Sequence, residues 1–116
     1  MENEHHTKDN VIIITPTITT LNASDAASFK AKVLDLVEKK EKLFVVIDMR
    51  NLNRIDSSGL GSFLTVLGHL NTRGGGLKLS CMNRPVRTMF ELVSMHKIFD
   101  IFTTTEDAVS DFNNKK

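Results

Sequence analysis

The chain has 116 residues, 41% of them apolar and 25% charged, with 15 Lys and Arg against 14 Asp and Glu. That fits one globular domain able to bury a little under about 70% of its extended-chain surface. The near-zero balance offers no field of one sign for nucleic acid or an acidic membrane surface. The longest apolar runs are four or five residues, too short to span a bilayer, and the polar N-terminus has no apolar signal core. The single Cys81 excludes an intrachain disulfide and fits a reducing cytoplasm.

Residues 1–10 are polar and read as a tail or an edge strand, with Asp9-Asn10 able to turn a hairpin onto residues 3 to 8. His5-His6 lacks a second cluster of ligands, so it reads as solvated rather than metal-binding. Val11 to Ile14, four apolar residues in a row, predicts a strand buried on both faces. Pro16 marks its end.

Thr19 to Ser24 reads as a loop, in which Asn22 or Ser24 can cap the following helix. From Asp25 to Lys40 the positions of Ala26, Phe29, Val33, Leu36 and Val37 fall on one helical stripe. Phe44 to Ile47 predicts a second buried strand, closed by Asp48 and the turn-forming Asn51 and Asn53. Asp56-Ser57-Ser58 then precedes Leu60, Phe63, Leu64 and Leu67, which have helical spacing. Small polar side chains suit a helix N-terminus because its first amides lack intrahelical acceptors. Two readings of this stretch stand side by side: an ordinary cap, or a site where a phosphoserine is held by backbone donors and the helix dipole.

The helix is expected to end near Asn71 to Gly74, with Gly74-Gly75-Gly76 as a turn before a strand from Leu77 to Cys81. A phosphate-cradling glycine loop needs the opposite order, strand then helix, so no nucleotide site is read here. Cys81 has no evident paired base and reads as packing at a strand end. Arg84-Pro85 opens a third helix with Val86, Met89, Phe90 and Val93 on its apolar stripe. A short strand, Ile98 to Phe102, follows. Thr104-x-x-Asp107 resembles a capping box before Ala108, Val109 and Phe112, and Asn113 to Lys116 is tail. Alternation of this kind predicts an α/β domain over residues 11–112 with right-handed crossovers and a largely parallel sheet.

The run IDSSGLG, preceded by VVIDMRNLNR and followed by GGGLKLSCMNRPVRTMFELVSMHKIFDIFTTTEDAV, resembles the STAS domain of anti-sigma factor antagonists over about residues 43 to 109. The resemblance implies a mixed, mostly parallel sheet of four or five strands with about four helices mainly on one side. It also implies that Ser57 is the phosphorylated residue. The unphosphorylated form would bind an anti-sigma factor that is itself a serine kinase using its own ATP, releasing a sigma factor, and a serine phosphatase would restore the hydroxyl. The expected contact surface comprises Asn22, Ser24, Asp56, Ser57, Ser58, Gly59, Leu60, Gly61 and Ser62. No cofactor, metal or catalytic residue is expected of this chain.

One departure stands out. The family has Gly-x-Leu/Ile-Asp before its first long helix, whereas this chain reads TTLN, with Thr19 for the glycine and Asn22 for the aspartate. A second reading is a non-switching STAS scaffold subunit, stressosome-like or transporter-associated, in which Ser57 is only a cap. A serine hydrolase is a poor third, for there is no G-x-S-x-G elbow and no histidine spacing that ties to Ser57.

Overall fold

A computed structural model describes residues 3–114. Expectations that fall on residues 1, 2, 115 and 116 lie outside the described residues. Strand β1 (Asn3–Lys8) turns through Asp9 and Asn10, both with positive φ, and pairs antiparallel with β2 (Val11–Pro16). The left-handed conformation at two consecutive residues is the demand of a two-residue hairpin, and Asp and Asn tolerate it best after glycine. Parallel strands β4 (Phe44–Asp48), β6 (Gly76–Ser80) and β7 (Asp100–Phe102) complete a five-stranded sheet in the order β1-β2-β4-β6-β7.

The unbroken apolar runs of β2 and β4 follow from burial of both faces. Ile12, Ile14, Val45, Ile47, Leu77 and Leu79 face one core with helices α1 (Ala23–Lys40), α2 (Ser57–Thr72) and α3 (Arg84–Leu92). Val11, Ile13 and Val46 face the other way, against Ala108 and Val109 of α4 (Thr105–Asn114). Three helices therefore share one side, and α4 covers the other. The larger core is stitched by aromatic contacts: Phe29 to Phe63 at 5.4 Å, Phe63 to Phe99 at 6.4 Å and Phe90 to Phe99 at 5.9 Å between ring centroids.

The turn after α2 shows why glycine recurs there. Gly74 takes φ +82°, and the amides of Gly74 and Gly75 donate to the carbonyls of Asn71 and Leu70, the crossed pair that closes a helix C-terminus through a left-handed residue. A Cβ on Gly75 would lie 2.1 Å from the Leu43 carbonyl oxygen, so only glycine fits.

Several boundaries differ from the sequence reading. Helix α1 starts at Ala23 rather than Asp25, because Asn22 supplies the cap. Helix α3 ends at Leu92, leaving Val93 44% exposed and off the buried stripe. The final strand is only Asp100–Phe102: Met95–Lys97 form a 3₁₀ turn, and Ile98 is half exposed. Helix α4 continues through Asn113 and Asn114, where a tail was expected. The loop before α1 contains a two-residue strand, β3 (Thr20–Leu21), paired in parallel with β5 (Arg54–Ile55) as a separate small sheet.

Candidate functional site

The loop between β4 and α2 is held from its root. Asp48 is buried at the end of β4 and receives a forked pair of hydrogen bonds from Arg50, Nε at 3.0 Å and a terminal nitrogen at 2.7 Å. Thr105 donates its hydroxyl to the same carboxylate at 2.9 Å, so Ser80 must donate to Thr105 across their 2.8 Å contact. Burial pushes the Asp48 carboxyl up, but the Arg50 and Thr105 hydrogen bonds and the Arg50 charge outweigh it and hold it below the ordinary range. The same pairing pushes the Arg50 guanidinium up, keeping it protonated throughout.

Further along, the Asn83 side-chain amide reaches the carbonyls of Arg50 and Leu52 at 3.0 and 2.9 Å. The amide of Asn53 donates to the Thr19 carbonyl at 2.7 Å, and that of Asp56 to Leu21 at 3.2 Å. These bonds carry the chain into the small β3–β5 sheet, which sets the starts of α1 and α2 side by side.

At that junction Asp56 is the N-cap of α2. One carboxylate oxygen accepts the Gly59 amide at 3.0 Å; the other accepts the Ala23 amide, in the first turn of α1, at 3.2 Å. Asn22 caps α1, its side-chain oxygen Oδ1 accepting from the Ser24 amide at 3.0 Å and the Ser24 hydroxyl at 2.7 Å. Ser57 and Ser58 occupy the first two helical positions of α2, and both are exposed. No acidic residue lies within this first turn, so the positive end of the dipole is offset only by Asp56.

The structure thus brings Asn22, Ser24, Asp56, Ser57, Ser58 and the half-buried Gly61 to one solvent-facing corner. It turns Gly59, Leu60 and Ser62, expected on the contact surface, largely inward. The reason is helical geometry: from Ser57 onward each successive residue rotates about 100°, so part of any contiguous run must face the core. Leu60 is 7% exposed, and Ser62 is 6% exposed with its hydroxyl donating to the Gly59 carbonyl. Sequence reading missed the bond from Ala23 to Asp56, Asn83 and the Asp48–Arg50–Thr105 cluster, since their partners lie 31 to 57 residues away or depend on loop shape. Cys81 follows the end of β6 at φ +58°, with Sγ 3.7 Å from the Thr105 hydroxyl. Among the described residues no group of His, Cys, Asp or Glu is arranged to hold a metal, and no helix is long and apolar enough to cross a membrane.

A mixed five-stranded sheet with three helices on one side, and a capped helix presenting two serines after an aspartate, defines a small α/β domain. The STAS domain family model matches residues 4–108, and the chain belongs to that family. Its relatives carry the name anti-sigma factor antagonist. A candidate antagonist from Thermotoga maritima is 29% identical over 109 residues, covering 92% of this chain and 94% of that protein. The crystal structure of such a Thermotoga maritima protein superposes with a TM-score of 0.87 at 26% identity, over 94% of this chain and 92% of that one. The anti-sigma F factor antagonist of Paenibacillus polymyxa is 23% identical over 111 residues, or 96% of this chain and 92% of the relative. The fold is also shared with Bacillus SpoIIAA in its phosphorylated form, at a TM-score of 0.71 and 18% identity over 96% and 99% of the two chains.

Proposed function

We propose that this chain is an anti-sigma factor antagonist whose docking surface is switched by phosphorylation of Ser57. The observation that carries the reading is the exposed Ser57 hydroxyl at the first position of α2, beside an Asp56 carboxylate pinned by two amides. A kinase can reach such a hydroxyl. Unmodified, the corner is small, neutral at Asn22, Ser57 and Ser58, and can be covered by a partner. Esterified, it gains about 1.5 to 2 negative charges next to Asp56. Burying that dianion against a partner is costly, and every 1.4 kcal/mol or so is about tenfold in affinity.

In this reading the partner is an anti-sigma factor with serine kinase activity. The Ser57 hydroxyl oxygen attacks the γ-phosphorus of the partner's ATP, its proton passes to a base of the kinase, and ADP leaves. A serine phosphatase hydrolyses the ester and resets the surface. The chain itself supplies no catalytic group and acts in the cytoplasm. Residues 11–112 form the functional unit, with β1 as its edge strand. The names of the relatives support the antagonist role, and a structural neighbour that exists in a phosphorylated form supports the chemistry.

A second reading has its own observation. Both carboxylate oxygens of Asp56 are used in capping, so the aspartate of D-S-S is accounted for in a non-switching scaffold. Intact-mass spectrometry after incubation with the cognate kinase and ATP separates the two. A single added phosphate that disappears in Ser57→Ala, with loss of kinase binding on modification, supports the switch; an unmodified chain rejects it.

A further inference from the structure

The end of the sheet opposite Ser57 holds a cavity of about 480 Å³ at the starts of β4 and β6. That volume lies within the range of sites that enclose small molecules. Its walls are Phe44, Leu67, Leu77 and Phe112, and Ile98, half exposed, stands at its rim. The two rings meet at 5.1 Å between centroids. The floor carries Lys78, whose side chain is only 6% exposed. Its ammonium donates to Asp100 at 2.9 Å and to Asp111 at 2.8 Å, and sits 4.5 Å from the centre of the Phe112 ring.

The charge of this cavity is not what a buried lysine suggests. Lys78 is matched by both Asp100 and Asp111, of which Asp100 lines the cavity, and Asp9 lines it as a second carboxylate. Outside the lining, Lys42 reaches the rim through a 2.9 Å bond to Asn10. Among the described residues the lining holds two carboxylates, Asp9 and Asp100, and one ammonium, Lys78, so an anion entering here meets a surplus of its own charge. Apolar walls with aromatic faces beside carboxylates suit a ligand that is apolar at one end and cationic at the other.

We propose that this cavity binds a small amphipathic organic cation, of the arylalkylamine class, its apolar part against Phe44, Leu77 and Phe112 and its ammonium toward Asp100 and Asp9. The site is independent of Ser57 and of the switch.

The test is a titration of the isotope-labelled full chain, followed by amide chemical shifts, with phenylpropylamine, phenylpropanol and phenylpropionate, which share one apolar tail. The amine should shift Gly75, Gly76 and Lys78 and leave Ser57 unmoved. A ligand of about ten heavy atoms is expected to bind in the micromolar to millimolar range, with the amine about tenfold or more tighter than the acid. Asp9→Asn and Ile98→Lys, both at exposed residues, should each weaken the amine several-fold while leaving the melting temperature in place. Equal binding of acid and amine, an alcohol as tight as the amine, shifts confined to other surfaces, or no shifts at millimolar amine would each overturn the assignment.

Discussion

The carboxylate of Asp56 accepts the amide hydrogen of Ala23, 33 residues earlier in the chain, at 3.2 Å. Its other oxygen caps its own helix at Gly59, so one side chain terminates two helices. Loss of a single N-cap costs about 0.5–2 kcal/mol. Asp56→Ala removes two capping bonds at once and is expected at or above the top of that range. Asp56→Asn, which keeps one oxygen acceptor, should cost less. Urea denaturation of the two variants beside Ser58→Ala checks this, and an Asp56→Ala loss no larger than that of Ser58→Ala would refute the double cap.

Gly59 and Gly61 stand two residues apart in α2 with opposite needs. A Cβ on Gly59 would lie 2.6 Å from Ile55 Cγ1 and 2.8 Å from the Leu21 carbonyl oxygen, whereas one on Gly61 meets nothing within 4 Å. Gly59→Ala forces β3 and α2 apart and should destabilise by roughly 1–3 kcal/mol. Gly61→Ala gains helix propensity and should stabilise by up to ~1 kcal/mol. Thermal or urea unfolding of both variants tests the pair; the same sign for both would contradict the packing.

The contrast shows what the chain made readable and what it did not. Pattern revealed the long elements: Phe29, Val33 and Val37 recur at helical spacing, while Val11 to Ile14 form a β-branched apolar run too short for a helix. The caps at Asn22 and Asp56 were legible for the same local reason. By contrast, β3 and β5 are two residues each and exist only because they pair across 34 positions (Thr20 with Arg54). Neither Thr20-Leu21 nor Arg54-Ile55 carries any alternation to detect. The inward turn of Gly59, Leu60 and Ser62 was equally hidden, since a motif read as a string gives residue types and not the face each one takes. Lys78 would have been placed on a surface by its chemistry alone; Asp100 and Asp111, 22 and 33 positions on, are what let it be buried.

Ser57→Asp is expected to separate folding from docking. The first turn of α2 holds no acidic residue, and a carboxylate there interacts with the dipole by about 0.3–1 kcal/mol, partly offset by the neighbouring Asp56. Stability should therefore be unchanged or slightly higher, while affinity for the proposed kinase partner falls by about tenfold or more. Denaturation and isothermal titration on one preparation read both quantities. A variant that lost affinity only in proportion to lost stability would point to misfolding instead of charge.

Asp48 gives the pH dependence of this fold a definite sign. Its carboxyl is held below the ordinary range despite burial, chiefly by Arg50, with help from Thr105. A group whose folded value is depressed contributes stability above its unfolded value, about 3.9 for Asp, and that contribution is lost as pH falls through the folded value. Arg50 stays protonated throughout and adds no transition of its own. Asp48→Asn keeps an oxygen for the Thr105 hydroxyl but surrenders the charged fork. Because the Arg50 side chain is 60% exposed and its charge can return to water, the cost at neutral pH should be modest, about 1–2 kcal/mol, toward the lower end for bonds to charged groups. The gap between wild type and variant should hold from pH 7 to about 5 and close below about 4, as the wild-type carboxyl takes up its proton. Urea unfolding at a series of pH values measures that gap. Parallel curves down to about pH 3 would mean that the Arg50 fork contributes nothing as a charge pair, and that Asp48 serves only as an acceptor for the Thr105 hydroxyl and the Arg50 amide.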